Sequence, residues 1–142
     1  MTKRREATLA RIHRVRTLQL NLRMGDEARA REQVASEQAL SARIAGLVDA
    51  VAPVPTAPSA SVSLMAAAHF RERLHQSAEI ALRRIAQAEQ QADAAAEQTR
   101  SAKRDQSAVE KLIERAQAAA VMREMRALED APANRKNRHD PC

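Results

Sequence analysis

From Ala78 to Ala120 one spacing repeats without a slip: Ala78, Ala81, Ile85, Ala88, Ala92, Ala95, Thr99, Ala102, Gln106, Val109, Ile113, Ala116 and Ala120. Steps of three and four residues alternate throughout, which holds one seam of an α-helix against a partner and predicts a coiled-coil strand. Most of the seam is alanine, so two backbones can approach closely. The partner must be another long helix. Thr99 and Gln106 are the polar members; a polar seam residue either fixes register at some cost in stability or faces water along a loosely packed stretch.

A partner lies earlier in the same chain. Residues 2–51 contain no proline and read as helix 1, with apolar residues at Leu9, Ile12, Val15, Leu18 and Leu22 and a second run at Leu40, Ile44, Leu47 and Val51. Around Gly25 and Asp26 the pattern weakens, and glycine costs about 1 kcal/mol relative to alanine in a helix. A bend, a frayed turn or a phase shift is expected there, against the alternative of a solvated glycine in an unbroken helix. Residues 52–63 then bring three prolines, Pro53, Pro55 and Pro58, which stop helix 1 by about Ala52 and make the turn of a hairpin. Ser61 or Ser63 supplies the N-cap of helix 2, whose first apolar residues are Leu64, Met65, Phe70 and Leu74.

Helix 2 runs from about 64 to 130 with neither proline nor glycine, about 100 Å against about 75 Å for helix 1 at 1.5 Å per residue. If the chain folds back near residue 57, paired positions in the antiparallel hairpin add to about 114 or 115. Leu9 then lies near Gln106, Leu22 near Ala92 and Ile44 near Phe70. Residues beyond about Ile113 have no intrachain partner, which leaves Ile113, Ala116 and Ala120 as an exposed apolar overhang. Pro132 ends helix 2, and residues 131–142 read as a disordered tail. The expected fold is all-α: a long antiparallel two-helix coiled-coil hairpin with unequal helices, a single elongated domain over residues 1–142, with both termini at one end.

Composition agrees with helix and argues against an ordinary globular core, since 142 residues include one Phe, no Tyr and no Trp. The net charge is +6, and residues 1–31 alone hold nine basic residues against three acidic ones. With the basic tail, positive charge gathers at the two ends of the chain. The single cysteine, Cys142, excludes an intrachain disulfide and fits a reducing compartment. No apolar run reaches the roughly 20 residues of a membrane span, and no apolar segment of signal-peptide type follows the basic start. A cytoplasmic location is expected.

Candidate chemistry is sparse. His69 and His75 are six residues apart and so on different helix faces, unlike the i, i+4 pair of a helical metal site. His13 and His139 stand alone, Cys142 has no neighbouring base, and two glycines, Gly25 and Gly46, make no phosphate loop. Glu110 and Glu114, one turn apart, read as solubilising charge. No catalytic, metal or cofactor site is expected, and no enzyme. Clustered arginines invite nucleic acid, but aromatic side chains for stacking are missing. A lipid surface is set aside because helix 2 would cover the apolar face of helix 1. An acidic protein partner is the expected use of the arginines.

A family resemblance extends this. The segment Thr8-Leu9-Ala10-Arg11-Ile12-His13-Arg14-Val15-Arg16, the proline break, the long helix carrying Arg100 to Arg115 with the block Val109-Glu110-Lys111-Leu112-Ile113-Glu114-Arg115 ("VEKLIER"), and Arg126-Ala127-Leu128-Glu129-Asp130 resemble the FliJ family of flagellar type III export proteins and the YscO-like stalk proteins of virulence secretion. The likeness covers most of the chain, and VEKLIER is its most specific piece. It implies a stalk similar to that of rotary ATPases, with the end bearing both termini inserted in the export ATPase hexamer. It also implies contacts with the cytoplasmic part of an export gate membrane protein and with export chaperones. On that resemblance Arg4, Arg5, Arg11, Arg14, Lys111 and Arg115 face the ATPase ring. The expected function is a non-enzymatic cytoplasmic adaptor of a type III export apparatus; the alternatives are a basic coiled-coil protein binding nucleic acid without sequence preference, and a plain scaffold that dimerises through its overhang.

Overall fold

The computed structural model describes residues 2–51 and 61–132. They form two helices, α1 (Thr2–Ala50, 49 residues) and α2 (Ser61–Glu129, 69 residues). The chain is an antiparallel hairpin of unequal helices. Of the expected turn at 52–63, residues 61–63 are helical and 52–60 lie outside the described residues, as do residues 133–142 of the expected tail at 131–142.

Both helices end where the local chemistry stops them. α1 carries no basic residue in its last turn, and α2 supplies one: Arg71 Nη2 donates to the Val51 carbonyl at 2.9 Å. A cation at a helix C-terminus offsets the dipole and satisfies an orphan carbonyl. At the end of α2, Arg126 lies in the last turn. The Ala131 amide closes onto the Leu128 carbonyl at 3.3 Å, a tightened turn before Pro132. α1 passes through Gly25 without interruption and without a positive φ, so the unbroken helix is the outcome there. A Cβ at Gly25 would meet only Arg29 Nη1, at 3.9 Å.

Contacts divide the chain into two compact units, Met1–Thr17 with Arg104–Cys142, which we call the terminal unit, and Leu18–Lys103. In the Leu18–Lys103 unit the packed α2 residues are Leu74, Ala81 and Ala88, buried, with Ala78, Ile85, Ala92, Ala95, Thr99 and Ala102 half-buried between and beyond them. In the terminal unit Val109 is buried and Gln106, Ile113, Ala116 and Ala120 are half-buried. Every residue of the expected α2 seam is therefore on the packed face. The spacing also extends back to Arg71 and Ala67.

The facing seam of α1 keeps Leu9, Ile44 and Val51 of the expected set and otherwise differs from it. In the Leu18–Lys103 unit it runs Glu27, Ala30, Val34, Glu37, Ser41, Ile44, Val48 and Val51 in the same alternation of threes and fours. In the terminal unit it holds Leu9, His13 and Arg16. Ile12, Val15, Leu18 and Leu22 are 41, 52, 63 and 68 % exposed, and Leu40 and Leu47 are exposed as well. The cause is helical geometry. Each residue advances about 100°, so a step of three falls about 60° short of a full turn and successive steps wind around the helix. Leu9 starts on the seam, and the steps to Ile12, Val15 and Leu18 carry the apolar residues to the opposite side.

The register is also corrected. In the Leu18–Lys103 unit, Arg23 meets Gln98 at 2.9 Å, Glu37 meets Arg84 at 2.8 Å and Val51 meets Arg71. In the terminal unit, Arg16 meets Asp105 and His13 meets Glu110, both at 3.1 Å, and Thr17 meets Gln106 at 3.2 Å. Paired positions add to 121–123. That is about seven residues, one heptad, beyond the expected 114–115. Leu9 thus lies with Ile113 rather than Gln106, both lining one groove. The displacement is seen at the start of α2, which begins at Ser61, three residues early, and runs ten residues before it is level with Val51. Leu64, Met65 and Phe70, in those residues, are exposed.

Leu74→Ala is expected to cost about 2–3 kcal/mol, because it opens a cavity at a buried seam position. Leu18→Ala should stay within about 0.5 kcal/mol, as for an exposed side chain. Urea denaturation followed by helical circular dichroism measures both. A larger loss at Leu18 than at Leu74 would reverse the assignment of the packed face.

Candidate interaction site

The terminal unit is where basic and apolar side chains come together. Its α1 portion carries Lys3, Arg4, Arg5, Arg11, Arg14 and Arg16 against one acid, Glu6. Arg4, Arg11 and Arg14, separated by seven and three residues, share one face of α1, and it lies opposite the seam of Leu9, His13 and Arg16. Arg4, Arg5, Arg11, Arg14, Lys111 and Arg115 are all exposed. None of these six forms an ion pair among the described residues, whereas Arg16 is bound to Asp105. The unit therefore presents cations whose charge is not neutralised within the hairpin.

Three expected apolar positions need correction. Ile113, Ala116 and Ala120 are half-buried rather than overhanging. With Glu6, Leu9, Ala10, Gln117 and Val121 they line a groove of about 390 Å³ between the two helices. The one-heptad displacement of register brings α1 alongside them. The exposed apolar end of α2 starts one residue later, with Val121, Met122, Met125 and Leu128. Sequence reading missed these four because the seam spacing, continued past Ala120, falls on Arg123 and Ala127. The signal was a second spacing of four and three, Val121–Met125–Leu128, on another face of the same helix.

Polar contacts across the helices are mostly at the edge of the seam. Gln106 Nε2 donates to Thr17 Oγ1, and the Thr17 hydroxyl donates to the His13 carbonyl at 2.9 Å. His13 Nε2 lies 3.1 Å from Glu110 Oε1, so Glu110 has an interhelical partner and is not simply solubilising charge. Gln106 and, in the other unit, Thr99, whose hydroxyl lies 3.1 Å from the Arg23 carbonyl, both reach across to α1. Exposed pairs of this kind contribute about 0–1 kcal/mol each. They mark the register more than they stabilise it.

No family model, no curated protein and no solved structure matches the chain. Among the described residues no group of three or more His, Cys, Asp or Glu is placed to hold a metal ion, and no helix is long and apolar enough to cross a membrane. His69 and His75 are both exposed. Cys142 and His139 lie outside the described residues. The ground for setting lipid aside, that α2 covers the apolar residues of α1, fails for Ile12, Val15, Leu18 and Leu22. Arg11 shares their face at i+4, i+7 and i+11 from Val15, Leu18 and Leu22, so apolar and basic residues are interleaved rather than separated as an interfacial helix requires.

Ile113→Ala is expected to lower stability by about 1–2 kcal/mol, less than a fully buried site but more than a surface one. Met122→Ala should change it by less than about 0.5 kcal/mol. Equal, negligible effects in denaturant titrations would return Ile113 to an unpaired overhang.

Proposed function

We propose that the protein is a non-enzymatic adaptor of a flagellar type III export apparatus, working in the cytoplasm beside a membrane-embedded gate. Its terminal unit binds the export ATPase ring, and the chain links that ring to the gate and to export chaperones. The observation that carries this reading is the set of exposed cations without ion pairs, Arg4, Arg5, Arg11 and Arg14 on α1 with Lys111 and Arg115 on α2, gathered in one unit. The VEKLIER block contributes the α2 members, and the resemblance of that block to the FliJ family supplies the identity of the ring. Apolar Val121, Met122, Met125 and Leu128, exposed in the same unit, offer such a contact apolar surface to bury beside the charges. The antiparallel hairpin agrees with the stalk architecture that the resemblance implies.

The purified chain, mixed with the cognate export ATPase, is expected to bind it and to change its turnover and its oligomer size. Arg11→Glu with Arg14→Glu should weaken binding about tenfold at low salt, with the deficit shrinking as salt rises, because exposed charges are screened over a Debye length of about 10 Å at 0.1 M. No binding and no change in turnover or oligomer size would overturn the reading. A parallel gel-shift titration across salt identifies nucleic acid instead if affinity for DNA falls steeply and linearly on logarithmic axes.

A further inference from the structure

The spacing of the seam that brings α1 and α2 together repeats every seven residues, so seam positions still face each other when one helix slides by a heptad. Sliding α2 toward the chain termini by seven residues, about 10 Å, sets Ile85 opposite Ala30 in place of Ala92 and keeps seam positions facing seam positions. Of the interhelical contacts that mark one register among the described residues, a single one involves a buried charge. Glu37 is 5 % exposed and sits on the α1 seam. Its Oε1 accepts from Arg84 Nη2 and from Gln33 Nε2, both at 2.8 Å, and its Oε2 is buried with no hydrogen-bond partner among the described residues. Gln33 is on the same helix and travels with Glu37. Arg84 does not: one heptad either way its place is taken by Ser77 or Gln91, and neither carries charge. A buried carboxylate without its cation is strongly disfavoured.

We propose that the Glu37–Arg84 contact selects the register of this hairpin and that, without it, α2 also occupies the register one heptad nearer the termini. In that second register Leu64, exposed now, faces Val51. In the terminal unit Ile113 leaves Leu9, and Ala116 and Ala120 lose their α1 neighbours. The Glu37–Arg84 pair, with its carboxylate buried and its guanidinium exposed, thereby controls how much apolar surface the terminal unit offers. A polar seam residue that costs stability and specifies alignment has this role in coiled coils generally, and the half-bonded Glu37 carboxylate fits a group retained for alignment rather than for stability.

Disulfide trapping in full-length protein carrying Cys142→Ser tests this with two cysteine pairs, Ala30→Cys with Ala92→Cys for the observed register and Ala30→Cys with Ile85→Cys for the neighbouring one. In the otherwise unaltered chain, mild oxidation at low protein concentration should close the 30–92 pair and leave the 30–85 pair open. Adding Glu37→Leu should raise 30–85 closure about tenfold, with helical circular dichroism retained, because a buried charge replaced by an apolar residue is tolerated. Glu37→Gln, which preserves shape, should move the yield in the same direction. Exchanging the charges with Glu37→Arg and Arg84→Glu should bring it back down. Closure of 30–85 that stays at its original level in both Glu37 variants, or a charge exchange that leaves it raised, overturns the assignment of register to this pair.

Discussion

Two helices joined through alanine can lie close together, and closeness is what most of this structure is made from. Small side chains leave few knobs and shallow holes, so the helices gain backbone proximity without a shape that fits only one alignment. Leu74, Ala81, Ala88 and Val109 are the buried apolar residues among those described, a small core for helices of 49 and 69 residues. Alignment therefore falls to polar atoms. Glu37 with Arg84, Arg23 with Gln98 and Thr99, Thr17 with Gln106, and Arg71 with the end of α1 each mark one register, and Glu37 does so from a buried position.

This division of labour explains which parts of the fold were legible in the sequence. The α2 seam was readable residue by residue because its spacing alternates strictly and its members are mostly apolar or small. The α1 seam was readable only at Leu9, Ile44 and Val51, because His13, Arg16, Glu27, Glu37 and Ser41 occupy positions a hydrophobicity reading skips, while Ile12, Val15 and Leu18 advance in threes and wind off the contact face. The register missed by one heptad for a physical reason as well. A seven-residue repeat carries no information on which heptad faces which, and the turn adds residues at the start of α2 that periodicity does not count.

The same displacement moved the apolar part of the candidate site along α2 and left its basic part in place. Ile113, Ala116 and Ala120 became the wall of a groove with Leu9 and Ala10, and the exposed apolar surface passed to Val121, Met122, Met125 and Leu128. The basic positions, by contrast, were readable at once: exposed arginines on a helix need only the composition and the spacing to place them, and Arg4, Arg5, Arg11 and Arg14 are exposed in the same unit as Lys111 and Arg115. Charge thus marks this end in any register, whereas the apolar surface beside it depends on how the helices align.

The central claim is the register itself, with Leu9 of α1 against Ile113 of α2. Isotope-filtered NMR of the unaltered chain, with methyl-labelled leucine and isoleucine, tests it directly. Nuclear Overhauser contacts between the Leu9 and Ile113 methyl groups are expected. Their absence, with Leu9 methyl contacts to the Gln106 side chain in their place, would contradict the account.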